Sequence, residues 1–311
     1  MRRGQAFTFN ILLVAALAGG AFAANPGTTG SQFLKVGPGA RPAALGMAYT
    51  AVADDIYAIH FNPAGLARQD KHQVTASYVR YFQDVHYGFI GMAPAAQSWG
   101  AVGLGVAYLT LDGIEGRKGD TEAADRSFGA TDAAFTATYA RRDVGGASFP
   151  GLSVGGSAKL ITQMLDGSRG VTGAFDIGAL YDTKAEGLTL GLAVRNIGPG
   201  VKYLAVRDPL PMTATLGAAY RVSGAPLLFA ADLEAGLSDS VFYESLGAEY
   251  TFKKIVAARA GWRFGAERKL GGLTGLTAGG GVHAGPVLVD YAFVPFGDLG
   301  NTHRISLSFK F

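Results

Sequence analysis

The side chains that could do chemistry fall into two groups. The first is ten charged residues, five of each sign: Lys159, Asp176, Arg195, Arg221, Asp232, Glu234, Glu249, Arg259, Arg263 and Asp290. All lie on the wet faces of stretches that alternate between polar and apolar. Residues two apart share a strand face, so all ten turn toward one interior. Mixed charges in one interior can pair with each other and with an internal segment, or they can line a path for a ligand. The second group lies in "GARPAALGMAYTAVADDIYAIHFNPAGLARQD", residues 39–70. There Asp54 and Asp55 are candidates to pair with inward arginines or to cap a following short helix.

Catalytic patterns are weak. "GLSVG" at 151–155 satisfies G-x-S-x-G, but Ser153 sits inside an alternating strand with no helix after it. His60, His72, His86, His283 and His303 lack paired ligand spacing. The chain has no cysteine, which excludes thiol chemistry and cysteine metal sites. The sequence therefore predicts no enzyme, no metal and no cofactor. A dispersed net charge of +3 gives no reason to expect nucleic acid.

The elements that position these residues are predominantly strands. About fourteen alternating runs follow one another from residue 72, near 72–82, 84–94, 99–110, 130–142, 151–164, 171–182, 187–197, 211–222, 225–236, 242–252, 255–265, 272–283, 287–296 and 303–311. Most exceed the usual soluble strand of about 5–6 residues and match the roughly 9–11 that cross a bilayer when tilted. Gaps after odd-numbered runs include long polar ones (111–129, 198–210, 297–302), whereas those after even-numbered runs are mostly short. Outer-membrane barrels show that asymmetry, with long loops outside and short turns in the periplasm. Tyr78, Tyr81, Tyr108, Tyr139, Tyr220, Tyr250 and Phe252 fall near run ends, where aromatic girdles form. The predicted fold is an all-β transmembrane antiparallel barrel of about fourteen strands, in contact with outer-membrane lipid. A soluble two-sheet sandwich would also alternate, but its strands would be shorter.

The N-terminus supplies the export route. Arg2 and Arg3, an apolar core over 7–18 and Ala21-Phe22-Ala23 predict a secretory leader over 1–23, cleaved before Ala24. Residues 24–70 then form a small helical hatch, and 71–311 the barrel. Pro42 can open a helix that carries Ala43, Ala44, Met47 and Ala51 at helical spacing. Asn62 can cap a turn begun at Pro63, with Gly65 closing it. Fourteen strands enclose a lumen too wide for their own side chains. Gly155, Ser157, Gly178, Gly191, Gly217, Gly247 and Gly261 leave room inside for a plug.

The 39–66 stretch closely resembles the N-terminal signature of the PorV/PorQ family of outer-membrane proteins. The residues that carry the likeness are Gly39, Arg41, Gly46, Ala48, Ala51, Asp54, Asp55, Ala58, Asn62, Pro63, Ala64, Gly65 and Leu66. "DYAFVPFGDLGNTHRISLSFKF" at the C-terminus is similar to that family's ending. Through it the chain also resembles FadL-type channels for hydrophobic compounds. The first resemblance implies a barrel of a type IX-like secretion pathway that receives exported cargo proteins, docked on loops 111–129 and 198–210. The second implies uptake of a hydrophobic ligand, with lateral exit at a kinked third strand carrying Gly100, Gly103 and Gly105. Ile305, Leu307, Phe309 and Phe311 resemble the signal read by the barrel assembly machinery.

Overall fold

The computed structural model describes residues 27–203, 206–265 and 273–311. The expected leader and the first hatch residues lie outside that range. The strands are β1 (Gln73–Arg80), β2 (His86–Ala93), β3 (Ala101–Gly116), β4 (Arg126–Arg141), β5 (Leu152–Leu165), β6 (Ser168–Asp182) and β7 (Leu188–Ile197). Two short ones, β8 (Val201–Lys202) and β9 (Arg207–Asp208), pair only with each other. The series continues with β10 (Thr213–Arg221), β11 (Leu227–Gly236), β12 (Phe242–Phe252), β13 (Val256–Phe264), β14 (Leu276–Ala284), β15 (Val287–Pro295) and β16 (Asn301–Lys310). All except β8 and β9 form one closed barrel of fourteen antiparallel strands.

Closure joins the first strand to the last. Gln73 stands opposite Lys310 and Arg80 opposite His303. Beyond them His72 and Phe311 exchange both backbone bonds, at 3.0 Å each, and stack their rings. Phe311 thus fastens the seam from just outside β16. Hydrocarbon offers no partner for an open edge, so a spanning sheet has to close in this way.

The alternation sorts the two faces. Ile90, Leu104, Phe135, Leu160, Phe175, Leu192, Leu216, Leu246, Ile305 and Leu307 point outward and are 49–62% exposed. Inward, Thr302, Arg304, Ser306 and Ser308 of β16 are buried. An apolar outside with a polar inside is the arrangement of a barrel bathed in lipid. Tyr139, Tyr220 and Tyr250 are exposed at one rim, and Tyr78 and Tyr291 stand toward the other. Tyr81 departs from the girdle reading: it is half-buried and receives a hydrogen bond from Arg304 inside the barrel (2.5 Å).

Hairpin length sets the orientation. The β3–β4, β7–β10 and β13–β14 connections, the longer ones, lie at one end; the two- to five-residue turns 183–187, 222–226, 253–255 and 285–286 lie at the other, where 142–151 is the long exception. The long end is the outer face. Phe311 and the start of β1 are therefore periplasmic.

Three sequence expectations change. Most of 111–129 is strand, not loop: β3 and β4 run on past a register shift between Leu111 and Ile114 and project beyond their neighbours. Gly103 and Gly105 do not kink β3, which pairs without interruption with β2 from Leu104 to Thr110 and with β4 from Ala101 to Leu111. The 198–210 connection does not project as a docking loop. It folds back over the mouth, burying Val201 and Leu210.

A charge placed on the lipid face at mid-depth tests the assignment. Leu216→Arg, in the middle of β10, is expected to destabilise the barrel by about 2–4 kcal/mol in reversible unfolding from bilayers. A change near zero would place that face in water.

Candidate functional site

The lumen is filled by residues 40–69. Gly39 (φ +89°) lies under the Tyr57 ring and opens α1 (Ala40–Ala44). Its small side chains let α1 lie close to the wall. The Ala40 N–H donates to Ser306 Oγ (2.8 Å), and Thr277 Oγ1 donates to the Ala44 carbonyl (3.1 Å). The helix ends at Ala44 and does not continue through Ala51. Gly46 (φ +65°) and Met47 (φ +70°) turn the chain where Gly46 presses on the backbone of Leu246 and Trp262. A second short helix, α2 (Ala58–Phe61), leads to Asn62. Asn62 Oδ1 accepts from the Ala64 N–H (3.2 Å), capping the 3₁₀ turn Pro63–Arg68. Its Nδ2 donates to the carbonyls of Thr50 (2.9 Å) and Ala179 (3.0 Å). Gly65 does not close this turn; it lies within it, where a Cβ would strike the Ala53 carbonyl. Leu45, Tyr49, Val52, Ile56, Tyr57, Ile59 and Leu66 are at most 1% exposed. Burial of side chains of this size stabilises by roughly 1.5–3 kcal/mol each.

The wall is shaped to receive this body. Gly155 stands opposite Gly178, Gly191 opposite Gly217, and Gly247 opposite Gly261. Five of the six take hatch backbone where a Cβ would sit, and Gly178 takes a hatch side chain. The nearest atoms are Pro63 C for Gly155 (2.5 Å), Thr50 O for Gly191 (2.7 Å) and Leu45 O for Gly247 (2.6 Å). Gly178 meets the Asn62 side chain, Gly217 the Ala51 N–H and Gly261 the Gly46 N–H. Gly103 and Gly105 make room for Ile59 and Leu66, which explains glycine there better than a bend does.

The ten inward charges form three networks and one anchor. Arg41 is the hub of the first. Its Nη1 donates to Asp54 Oδ1 (2.5 Å) and Asp55 Oδ2 (3.2 Å); its Nε and Nη2 form a fork on Glu249 (2.9 and 3.0 Å). Arg259 continues from Glu249 (2.5 Å) to Asp290 (2.6 Å), and Arg221 closes on the far oxygen of Asp54 (2.6 Å). In the second network Glu234 bridges Arg195 (2.5 Å) and Arg263 (2.8 Å), with Arg263 over the Tyr243 ring. In the third, Lys159 meets Asp176 (2.7 Å) and donates to Asn196 Oδ1 (2.8 Å). Asp232 is the anchor: one oxygen accepts the N–H groups of Tyr49 (2.9 Å) and Thr50 (2.8 Å).

Asp54 therefore does not cap α2, because two guanidinium groups claim its oxygens. Asp55 accepts from the Tyr57 N–H (3.0 Å) one residue before that helix. Sequence reasoning missed Arg68–Asp182 (2.5 Å) at the periplasmic rim, Lys35–Asp239 at the outer rim, and Arg304, which donates to the Gly37 carbonyl (2.7 Å). Arg304 was findable, since it sits on the wet face of β16. His60 is buried and packs edge-on against the Phe61 ring.

Above the hatch a cavity of about 340 Å³ faces the outer mouth. Met47, Tyr81, Tyr243, Val294 and Phe296 give it apolar surface, and the charged residues Lys35, Glu234, Asp239, Arg263 and Arg304 also line it. A small adjoining cavity of about 20 Å³ beside Thr50, His60 and Asp232 has room for one water. The arrangement can accept a small molecule from outside and stop it at the hatch.

A family model described as "Uncharacterised protein family (UPF0164)" matches residues 13–170. No curated protein matches. Among solved structures the chain is similar to a TodX mutant described as a monoaromatic hydrocarbon channel. The TM-score is 0.58 at 12% identity, covering 82% of this chain and 94% of that one. It is also similar to the Pseudomonas putida toluene transporter TodX, with a TM-score of 0.56 at 13% identity, covering 81% and 92%. At such identity the likeness shows the fold, an outer-membrane barrel.

Two substitutions test the seat. Arg41→Gln removes the shared partner of Glu249, Asp54 and Asp55, a loss of roughly 3–5 kcal/mol for broken buried pairs. Gly178→Ala puts a methyl group against Asn62. Both are expected to raise the frequency of open events in planar bilayers while heat-modifiable mobility, the mark of a closed barrel, is kept. Bilayer records indistinguishable from those of the parent would mean that the hatch is held otherwise.

Proposed function

We propose that this chain, which belongs to the uncharacterised protein family UPF0164, is a hatch-gated channel that admits small hydrophobic molecules through the outer membrane. The observation that carries this reading is the apolar outer cavity closed below by a separately anchored hatch. A general porin needs a continuous water path, and here the hatch fills the lumen below the cavity, with Leu45, Tyr49, Val52 and Ile56 fully buried. TodX, which shares the fold, is named for transport of toluene and other monoaromatic hydrocarbons, and that supports an apolar solute. The leader over 1–23 and the last strand with Phe311 just after it belong to the same reading, as address and assembly signal for the outer membrane. No catalytic role is assigned.

A second reading, a secretion-associated barrel of PorV/PorQ type, draws on the resemblance at both chain ends. The projecting β3–β4 hairpin supports it, since it offers an outer platform for exported proteins.

Uptake of toluene and of longer alkyl probes into proteoliposomes separates the two. The channel reading expects saturable uptake that Val294→Trp, which fills the cavity, lowers by about tenfold, the equivalent of ~1.4 kcal/mol of lost binding. Absence of uptake, together with secreted proteins that co-purify with the parent but not with a variant trimmed at the β3–β4 hairpin, would replace it with the secretion reading.

A further inference from the structure

The direction in which the hatch runs has a topological consequence. Its last residues are periplasmic: Arg68 pairs with Asp182 at the end of β6, and Gln69 donates to the carbonyl of Ala93 at the end of β2. Its first residues are at the opposite end. The Gly30 N–H donates to the Pro209 carbonyl (2.9 Å) in the outer connection after β7. Ser31 Oγ donates to Gln163 Oε1 (2.6 Å), two residues from the outer end of β5. Lys35 pairs with Asp239 in the outer turn between β11 and β12. Between these polar ties Phe33 and Leu34 bury against Ile161, Ala174 and Leu210. Before them Gly27 and Thr28 are exposed at the outer mouth. The chain thus passes from the outer face, through the lumen, to the periplasm before β1 begins.

The chain reaches this membrane from the periplasmic side, so its leading segment has to end up across the membrane, inside the closed lumen. We infer that this barrel carries its own amino-terminal segment across the outer membrane through its lumen and presents residues around Thr28 at the cell surface. The seat of that segment is a groove built for an extended peptide. It has a carboxamide for Ser31, a carboxylate for Lys35, an apolar slot for Phe33 and Leu34, and a carbonyl on the folded-back 198–212 connection. This holds whatever solute or cargo the barrel serves, because it rests only on chain direction and on the orientation set by hairpin length.

The chain has no cysteine, so single-cysteine labelling reads the topology directly. Thr28→Cys and Gln32→Cys, both at exposed positions of the segment, are compared with Asp120→Cys in the outer hairpin and Ser223→Cys in a periplasmic turn. A membrane-impermeant maleimide is applied to intact and to permeabilised cells, and heat-modifiable mobility confirms that each barrel is folded. The expected result is labelling of Thr28→Cys and Asp120→Cys in intact cells with no gain on permeabilisation. Ser223→Cys should be labelled only after permeabilisation. Gln32→Cys serves in the same way if Thr28→Cys does not fold. Labelling of the segment only after permeabilisation, or a reversed pattern at Asp120 and Ser223, overturns the inference.

Discussion

Hydrocarbon provides no hydrogen-bond partner, and the rest of this structure follows from that constraint. Each spanning strand must be paired on both sides, so the sheet closes and β1 meets β16. Closure at fourteen strands fixes a circumference, and the circumference fixes a lumen wider than inward side chains can fill. An unfilled lumen would be a hole in the membrane. The first forty residues of the described chain answer that geometric problem, which is why a compact body of turns and short helices precedes an otherwise all-strand protein.

The fit between hatch and wall depends on backbone approaching backbone. Glycines stand opposite one another in neighbouring strands, so each pair clears a patch two strands wide, and hatch main chain occupies it. Glycine in a strand forfeits side-chain packing and carries an entropic cost. The buried side chains of the hatch supply the packing that the wall lacks. The charges add direction. Buried ion pairs are weak evidence for stability, because desolvation opposes the attraction. Removing one partner is costly, however, so a hatch displaced from its position would take Arg41 away from Glu249 and leave Arg259 to serve both Glu249 and Asp290. Asp232 acts alike on the main chain: its carboxylate reads two consecutive N–H groups, a pattern that only one placement of Tyr49 and Thr50 offers.

The barrel was legible because the bilayer imposes period two on every spanning strand, and strand ends fell within a few residues wherever lipid set them. Legibility failed where lipid no longer acts. Residues 112–116 and 126–129 continue the β3–β4 hairpin in water, so neither face needs to be apolar and the alternation stops while the pairing does not. The 198–212 connection read as a free polar loop because its fate depends on distant partners: Val201 lies against Gly30 and Gly170, and Leu210 against Phe33 and Leu34. Within the hatch, local rules lost to tertiary ones. Asp54 had the position of a helix cap but had two arginines within reach. The alanine-rich run from Pro42 promised a longer helix, but Gly46 had to turn where the wall approached. The charged set was visible as a set because each member occupies a wet face. The pairing was not, since it depends on strand register and hatch placement together.

The ion pairs are graded along the barrel axis. At the periplasmic rim each pair has one partner more open to water, Arg221 at 43% and Asp182 at 37%, while Asp54 at 28% and Arg68 at 10% are more enclosed. Pairs with one partner near water are screened by salt more than pairs buried on both sides. At mid-depth Arg259, Glu249 and Asp290 are between 1% and 10% exposed, and there a missing partner cannot be replaced by water. The hatch is therefore held firmly at its middle, where Arg41 joins it to the wall, and loosely at its periplasmic end. A movement that opened the lumen by drawing out that end first would break the weak pairs before the strong ones. The glycine seat would be vacated only after the charges holding it had met water.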